Sequence, residues 1–236
     1  MTDIHPMKAR IEQVLQRISD AALAAGRDPE SIRCLAVSKL HPANAVRAAH
    51  TCGLNAFGEN YVQEGVDKID ALSDLRAHIE WHCIGPVQSN KSKWIASHFD
   101  WIQSLDSSKL AQRLNDQRPA DRNPLNVCIQ VNLDQGPNKS GLSAQDATAL
   151  AQRFQQWPRL RLRGLMCIPE PYPTRQQQEA VFAQARELLQ SWQHLGLNLD
   201  TLSMGMSDDL EAAVAQGSTM VRIGTAIFGT RVSTRS

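Results

Sequence analysis

Eight short apolar runs, each ending on polar residues and each followed by helical spacing, constrain this chain more than any other feature. They are Cys34 to Val37, Ala56 to Asn60, Glu80 to Gly85, Trp101 to Leu105, Asn126 to Asn132, Leu160 to Ile168, Thr201 to Gly205 and Met220 to Gly224. Continuous apolar runs of this length suit strands covered on both faces, as in parallel sheets with helical crossovers. Between them the spacing predicts helices over about 43–51, 61–72, 89–97, 108–117, 143–155, 175–194 and 208–216, with a short helical turn after the last strand. A further helix precedes the first run, from Met7 to Ala25. Its apolar face is Ile11, Val14, Leu15, Ile18, Ala22 and Ala25, and Gly26 stops it. The expectation is an α/β protein, a (β/α)₈ barrel with an extra N-terminal helix, as one domain over residues 1–236. An open doubly wound sheet is the alternative.

Bulk chemistry narrows the function. A hydrophobic content of 42% suffices for one substantial core. Net charge is +1, which leaves no global field to recruit nucleic acid or an anionic membrane. Five cysteines, Cys34, Cys52, Cys83, Cys128 and Cys167, form no metal-type spacing, so no metal site is expected and a reducing compartment is. No apolar run is long enough to span a bilayer, and the N-terminus is polar; the chain reads as cytoplasmic.

Strand ends carry the chemistry. In parallel α/β proteins the carboxyl ends of the strands face the functional mouth. Ala36-Val37-Ser38-Lys39 places an amine there, and partial desolvation keeps more of such an amine neutral and nucleophilic. A solvated lysine capping a strand end is the plainer reading. After the seventh and eighth runs, Gly205-Met206-Ser207 and Gly224-Thr225 begin helices with small and hydroxyl residues. Backbone N–H groups at a helix start bind phosphate, and barrels often build such a site after strands 7 and 8. Taken singly, each is also an ordinary turn. Arg222 shares a strand face with Gly224 and is permanently charged; pairing with a carboxylate is its structural alternative. An amine, a phosphate cradle and an arginine together match the aldehyde, phosphate and ring nitrogen of pyridoxal 5'-phosphate (PLP).

The motifs that carry a resemblance are Ala36 to Lys39, Phe57-Gly58-Glu59-Asn60-Tyr61-Val62-Gln63-Glu64 and Trp81 to Lys91. Asn138-Lys139-Ser140-Gly141, Arg163 to Met166 and the block Leu202 to Gly229 complete them. On these the chain resembles the pyridoxal phosphate homeostasis protein family, PLP-binding barrels related to the N-terminal barrel of alanine racemase. Cys83 stands where that family usually has phenylalanine or methionine. The resemblance implies PLP bound as a Schiff base to Lys39, phosphate held by Ser207, Gly224 and Thr225, and Arg222 facing the pyridine nitrogen. Asn60 and Ser203 would line the same pocket. His82 is a further candidate, with a satisfied core histidine as the alternative.

A permanent cation beside the ring nitrogen disfavours its protonation and weakens the cofactor as an electron sink. Racemisation would then need two flanking bases. Lys39 could be one, but the only tyrosines are Tyr61, read as packing, and Tyr172, in a proline-flanked loop. The resemblance therefore implies a protein without catalytic residues that holds, buffers and delivers PLP and maintains vitamin B6 and amino-acid homeostasis. It would be a monomer whose partners are PLP and the apo-forms of PLP enzymes. A weak amino-acid racemase is the alternative, and a cofactor-free aldolase using Lys39 leaves Arg222 without a role. Lys139, in the polar loop after the fifth run, is a candidate second amine for departing cofactor.

Overall fold

A computed structural model of the protein describes residues 4–134 and 140–229. The order of elements is α1 (Ile4–Ala24), β1 (Arg33–Val37), α2 (Ala43–Thr51), β2 (Ala56–Glu59), α3 (Val62–Ala71), β3 (Glu80–Cys83), α4 (Ser92–His98), β4 (Trp101–Leu105) and α5 (Ser108–Gln117). There follow β5 (Leu125–Gln130), α6 (Ala144–Gln152), β6 (Leu160–Met166), α7 (Arg175–His194), β7 (Thr201–Ser203), α8 (Leu210–Ala215), β8 (Met220–Ile223) and α9 (Thr225–Phe228). The eight strands close in sequence order, each parallel to its neighbours, and β8 pairs with β1 from Arg33↔Met220 to Ala36↔Ile223. This is the barrel, and the open sheet is excluded because β1 and β8 leave no edge.

Six of the eight strands end one to two residues earlier than the apolar runs, while β1 and β4 end with theirs. Asn60, Gly85, Gly205 and Gly224 all fall beyond their ladders, in the loops at the carboxyl-end mouth. Helix starts follow local capping chemistry: Ser107, Ser143 and Thr174 accept the N–H groups of Leu110, Asp146 and Gln177.

Most of the core lies between the strands and the surrounding helices. Inside the barrel are two smaller apolar groups: Leu35, Val37, Ala56, Ile84 and Met220, and Trp101, Cys128 and Met166. α1 packs on α2, α8 and α9. With α9 a single turn, α1 supplies the cover that β8 would otherwise lack. Arg17 binds Glu211 through two hydrogen bonds of 2.6 and 2.7 Å, and Arg10 Nε donates to the Ile227 carbonyl at 2.8 Å. Leu15 departs from the expected apolar face and is exposed, because the buried stripe runs through Met7, Ile11, Val14, Ile18, Ala21 and Ala22.

Gly164 is the most closely approached of the described glycines. A Cβ there would lie 1.7 Å from the Thr201 carbonyl oxygen, where β5 and β6 shift register between Val127 and Cys128. Gly164 pairs with Thr201 of β7, and neither β6 nor β7 can retreat without breaking its other ladder. Gly164→Ala should therefore destabilise the barrel by about 3 kcal/mol. Thermal unfolding should show Tm falling by roughly 6–12 °C; an unchanged Tm would mean that the two strands can separate freely.

Candidate functional site

β1 hands the chain to a turn whose polar atoms are tied down. Ser38 is fully buried, and its Oγ donates to Glu59 Oε1 at 2.6 Å. Its carbonyl accepts from Lys68 Nζ at 2.7 Å. Lys68, on α3 and almost fully buried, also donates to Glu59 Oε1 at 2.8 Å and Glu64 Oε1 at 2.7 Å. All three donors of the ammonium are thus used. Glu64 Oε1 in turn accepts the Leu40 N–H at 2.5 Å. Leu40 is the one non-glycine residue with positive φ among the described residues, at 62°, a conformation a Cβ disfavours. Both neighbours of Lys39 are therefore fixed from the helix side of the sheet. Burial raises the Glu59 carboxyl above its ordinary value against the pull of Lys68, and its Oε2 has no hydrogen-bond partner.

Lys39 opens on a cavity of about 480 Å³ at the carboxyl-end mouth. Asn60, Ile84, Ser207, Arg222, Gly224 and Thr225 line it as well, with Val37 beneath and Ile168, Met206 and Asp208 also contributing. Asn60 is placed by Gly85. A Cβ on Gly85 would lie 2.1 Å from the Asn60 carbonyl oxygen, so only glycine lets the ends of β2 and β3 approach this closely. On the opposite wall Asp209 Oδ1 accepts the Met206 N–H at 2.5 Å and closes the turn that carries Ser207. The helix expected over 208–216 begins later, at Leu210, and Asp209 occupies its N-cap position. Burial raises the Asp209 carboxyl, opposed by its hydrogen bond to Met206 and the charge of Arg222.

Arg222 is 5% exposed and held by the strands beside it. Its Nη1 donates to the Ser203 carbonyl and Oγ, both at 2.8 Å, and Nη2 to the Cys167 carbonyl at 2.8 Å. Nε has no hydrogen-bond partner among the described residues, and the arginine lines the cavity. Burial lowers its pKa from the ordinary value.

Ser203 does not reach the lining as expected; it sits fully buried under Arg222. The reason is that β7 is short and Ser203 is its last ladder residue, one layer below the mouth. Its Oγ, accepting from Arg222, donates to Gln103 Oε1 at 2.6 Å. That fixes the amide, so Gln103 Nε2 donates to His82 Nδ1 at 2.9 Å, and His82 Nε2 donates to Glu80 Oε1 at 2.9 Å. Glu80 also accepts from Arg33 at 2.7 Å. A single line of hydrogen bonds thus crosses the barrel interior, every donor from Arg222 to His82 pointing away from the mouth. His82 is an interior member of it, a satisfied core histidine and not a lining residue. Burial lowers its pKa, outweighing the neighbouring Glu80 carboxylate. Glu80 is held down to about 2: burial opposes ionisation, but the bond from His82 and the charge of Arg33 prevail.

Tyr61 is exposed, not packed. With Asn60, Val62, Gln63, Pro86, Val87, Gln88 and Lys91 it lines a neighbouring cavity of about 570 Å³. Tyr172 donates its hydroxyl to Asp134 Oδ1 at 2.8 Å. Lys139 lies outside the described residues. Among the described residues no group of His, Cys, Asp and Glu could hold a metal ion, and no helix is long and apolar enough to cross a membrane.

The model of the alanine racemase N-terminal domain matches residues 10–232. The pyridoxal phosphate homeostasis protein of Pseudomonas aeruginosa is 58% identical over 221 residues, covering 94% of each chain. The chain belongs to the pyridoxal phosphate homeostasis protein family. Its Escherichia coli relative is 52% identical over 225 residues, 94% of this chain and 95% of that one. The structure of PipY from Synechococcus elongatus, a protein solved with PLP bound, is 39% identical at a TM-score of 0.79; the match covers 90% of this chain and all of that one.

Sequence reasoning missed Glu59, Glu64, Lys68, Gln103 and Asp209 as supports of the site. Of these only Glu64 and Lys68 leave a local signal, an acid four residues before a lysine on one helix.

Two measurements test these supports. Lys68→Met leaves two carboxylates facing each other without their cation and should cost about 3–5 kcal/mol in urea unfolding. Amide exchange at Leu40 should accelerate in the same variant; unchanged protection at Leu40 would show that the turn holds itself. For His82, the unfolded chain takes up a proton near the ordinary histidine value of about 6.5, while the folded chain does not until lower pH. This contribution to stability is therefore full above about 6.5 and declines as pH falls below it. The urea midpoint of the parent should drop between pH 7.5 and 5.5 more steeply than that of His82→Gln. Equal slopes would mean that His82 titrates normally.

Proposed function

We propose that this chain binds PLP in the Lys39 cavity and serves to hold, buffer and hand over the cofactor, maintaining vitamin B6 and amino-acid homeostasis. The observation that carries this reading is convergence. An amine, an arginine with an unspent Nε–H and a helix start with small residues line one cavity of a size that suits a small-molecule ligand. Each matches one functional group of PLP, so the residues present fit it.

When bound, PLP supplies an aldehyde that condenses reversibly with an amine, releasing water. Lys39 is the amine we assign to that aldehyde, with its backbone immobilised by Ser38 and Leu40. The first N–H groups of α9 have no intrahelical acceptors and, with the Ser207 and Thr225 hydroxyls, are assigned to the phosphate. Arg222 is assigned to the pyridine nitrogen. Because it donates and cannot accept, it leaves that nitrogen unprotonated and the ring a weak acceptor of electrons. Asn60 completes the wall. Ser203 acts through Arg222.

Several features favour a carrier over an enzyme. Tyr172 is committed to Asp134 and Tyr61 faces the neighbouring cavity, so neither tyrosine stands opposite Lys39. Ile168 and Met206 at the rim are exposed, which leaves the cavity open to water and to exchange of its contents. The relatives are named for homeostasis. We further propose that the chain acts as a single-domain monomer in the cytoplasm, and that apo-forms of PLP enzymes receive the cofactor. Lys139 remains proposed as a second amine on its route out.

Adding PLP to the parent should produce the visible absorbance of a lysine adduct, and borohydride followed by peptide mapping should place it on Lys39. Lys39→Ala should lose that absorbance without unfolding. Thr225→Asp, which sets a carboxylate against the phosphate, should weaken PLP binding far more than Ser207→Ala, which removes about one charge-assisted hydrogen bond. Incubation with alanine in heavy water should show no exchange of the α-proton above the Lys39→Ala background. An unaltered adduct spectrum in Lys39→Ala would refute the assignment, and Lys39-dependent exchange would make this chain a racemase.

A further inference from the structure

The amino-end face of the barrel, opposite the mouth, carries a second polar cavity. It measures about 350 Å³ and is lined by Arg33, Arg76, Glu80, Asp100, Arg118 and Asn123 among others. We propose that this cavity is a binding site for a small phosphate-bearing anion, separate from the Lys39 site.

Arg76 Nη2 and Arg122 Nη2 converge on one oxygen, Asp100 Oδ1, at 2.6 and 3.3 Å. The other oxygen, Oδ2, accepts the Trp81 N–H at 2.9 Å. Glu80 is shared between Arg33 and His82. Four guanidiniums, those of Arg33, Arg76, Arg118 and Arg122, therefore meet two carboxylates. Asp121, acting on Arg122, and Arg159, bonded to the Arg118 carbonyl, offset one another further out. A surplus of two positive charges is left on a chain whose net charge is +1. A phosphate monoester near neutral pH carries nearly two negative charges and would cancel it.

Unspent donors point the same way. Arg118 is only 3% exposed. Its Nε donates to the Asn123 carbonyl at 2.8 Å, and its Nη1 to those of Ala96 and Phe99 at 2.7 and 2.8 Å. Its Nη2 has no hydrogen-bond partner among the described residues, nor has Nη1 of Arg33. The Arg33 side chain is 43% exposed and neither N–H group is cut off from water, so both are open to an anion that displaces water from the cavity. Burial and the positive charges of Arg122 and Arg76 hold Arg118 down to about 10, against the pull of Asp100. Three planar forks around one cavity suit the oxygens of a phosphate. The structural role of arginines as a plug at the barrel floor explains the backbone bonds of Arg118, but not the surplus charge or the unspent donors.

Protein first incubated with PLP, so that the mouth is filled, is titrated with inorganic phosphate and separately with glycerol phosphate by calorimetry at low ionic strength. Saturable binding of at least one is expected, together with a rise in Tm. Arg33→Gln, which alters an exposed side chain and leaves the barrel intact, should weaken it by about tenfold. Arg118→Gln should abolish it; should that variant unfold, Arg76→Gln takes its place with the same expectation. Thr225→Asp reports on the mouth and should leave floor binding unchanged. Tighter binding of glycerol phosphate assigns the cavity to an ester, tighter binding of inorganic phosphate to the free ion. No saturable binding, equal binding in Arg33→Gln, or loss of binding in Thr225→Asp would overturn the proposal.

Discussion

A guanidinium enclosed by strands can stay charged only if its N–H groups find acceptors, and the arrangement around Arg222 depends on that requirement. Ser203 and Cys167 provide backbone carbonyls because β6 and β7 end at the same level beneath the mouth. The Ser203 hydroxyl, obliged to accept from arginine, must donate onward. Gln103, His82 and Glu80 then have no choice of direction. The chain terminates where a carboxylate meets Arg33 on the far face. The two apolar groups inside the barrel flank this polar line, so its members are shielded from water and held in one arrangement.

Lys39 is secured by a different device. Its neighbours are pinned from outside the barrel by a buried ion cluster in which one lysine serves two glutamates and a carbonyl. A nucleophile on a long flexible side chain loses precision unless its backbone is rigid, and here the rigidity comes from α3, a different β/α unit. The site is thus assembled from strand ends but supported from both layers: Arg222 from the barrel interior, Lys39 from the helical shell.

Much of the fold was legible in the residues. The eight apolar runs and the long helix Arg175–His194 follow from local spacing and side-chain chemistry. Leu15 was misread because period alone does not say how wide the buried stripe of α1 is; its neighbours α8 and α9 decide that. Tyr61 was misread because an aromatic at a helix start looks the same whether it packs or faces a cavity.

The sequence by itself determined the barrel class, the family, and the lining residues Lys39, Asn60, Ser207, Arg222, Gly224 and Thr225. These are strand-end residues, and a parallel barrel sends all its strand ends to one mouth. Only the tertiary structure decided the supports. Ser203 and Arg222 are 19 residues apart, Gln103 and Ser203 are 100 apart, and Ser38 meets Lys68 across 30. Such pairings follow from strand order and register once the sheet has closed, and no local periodicity encodes them.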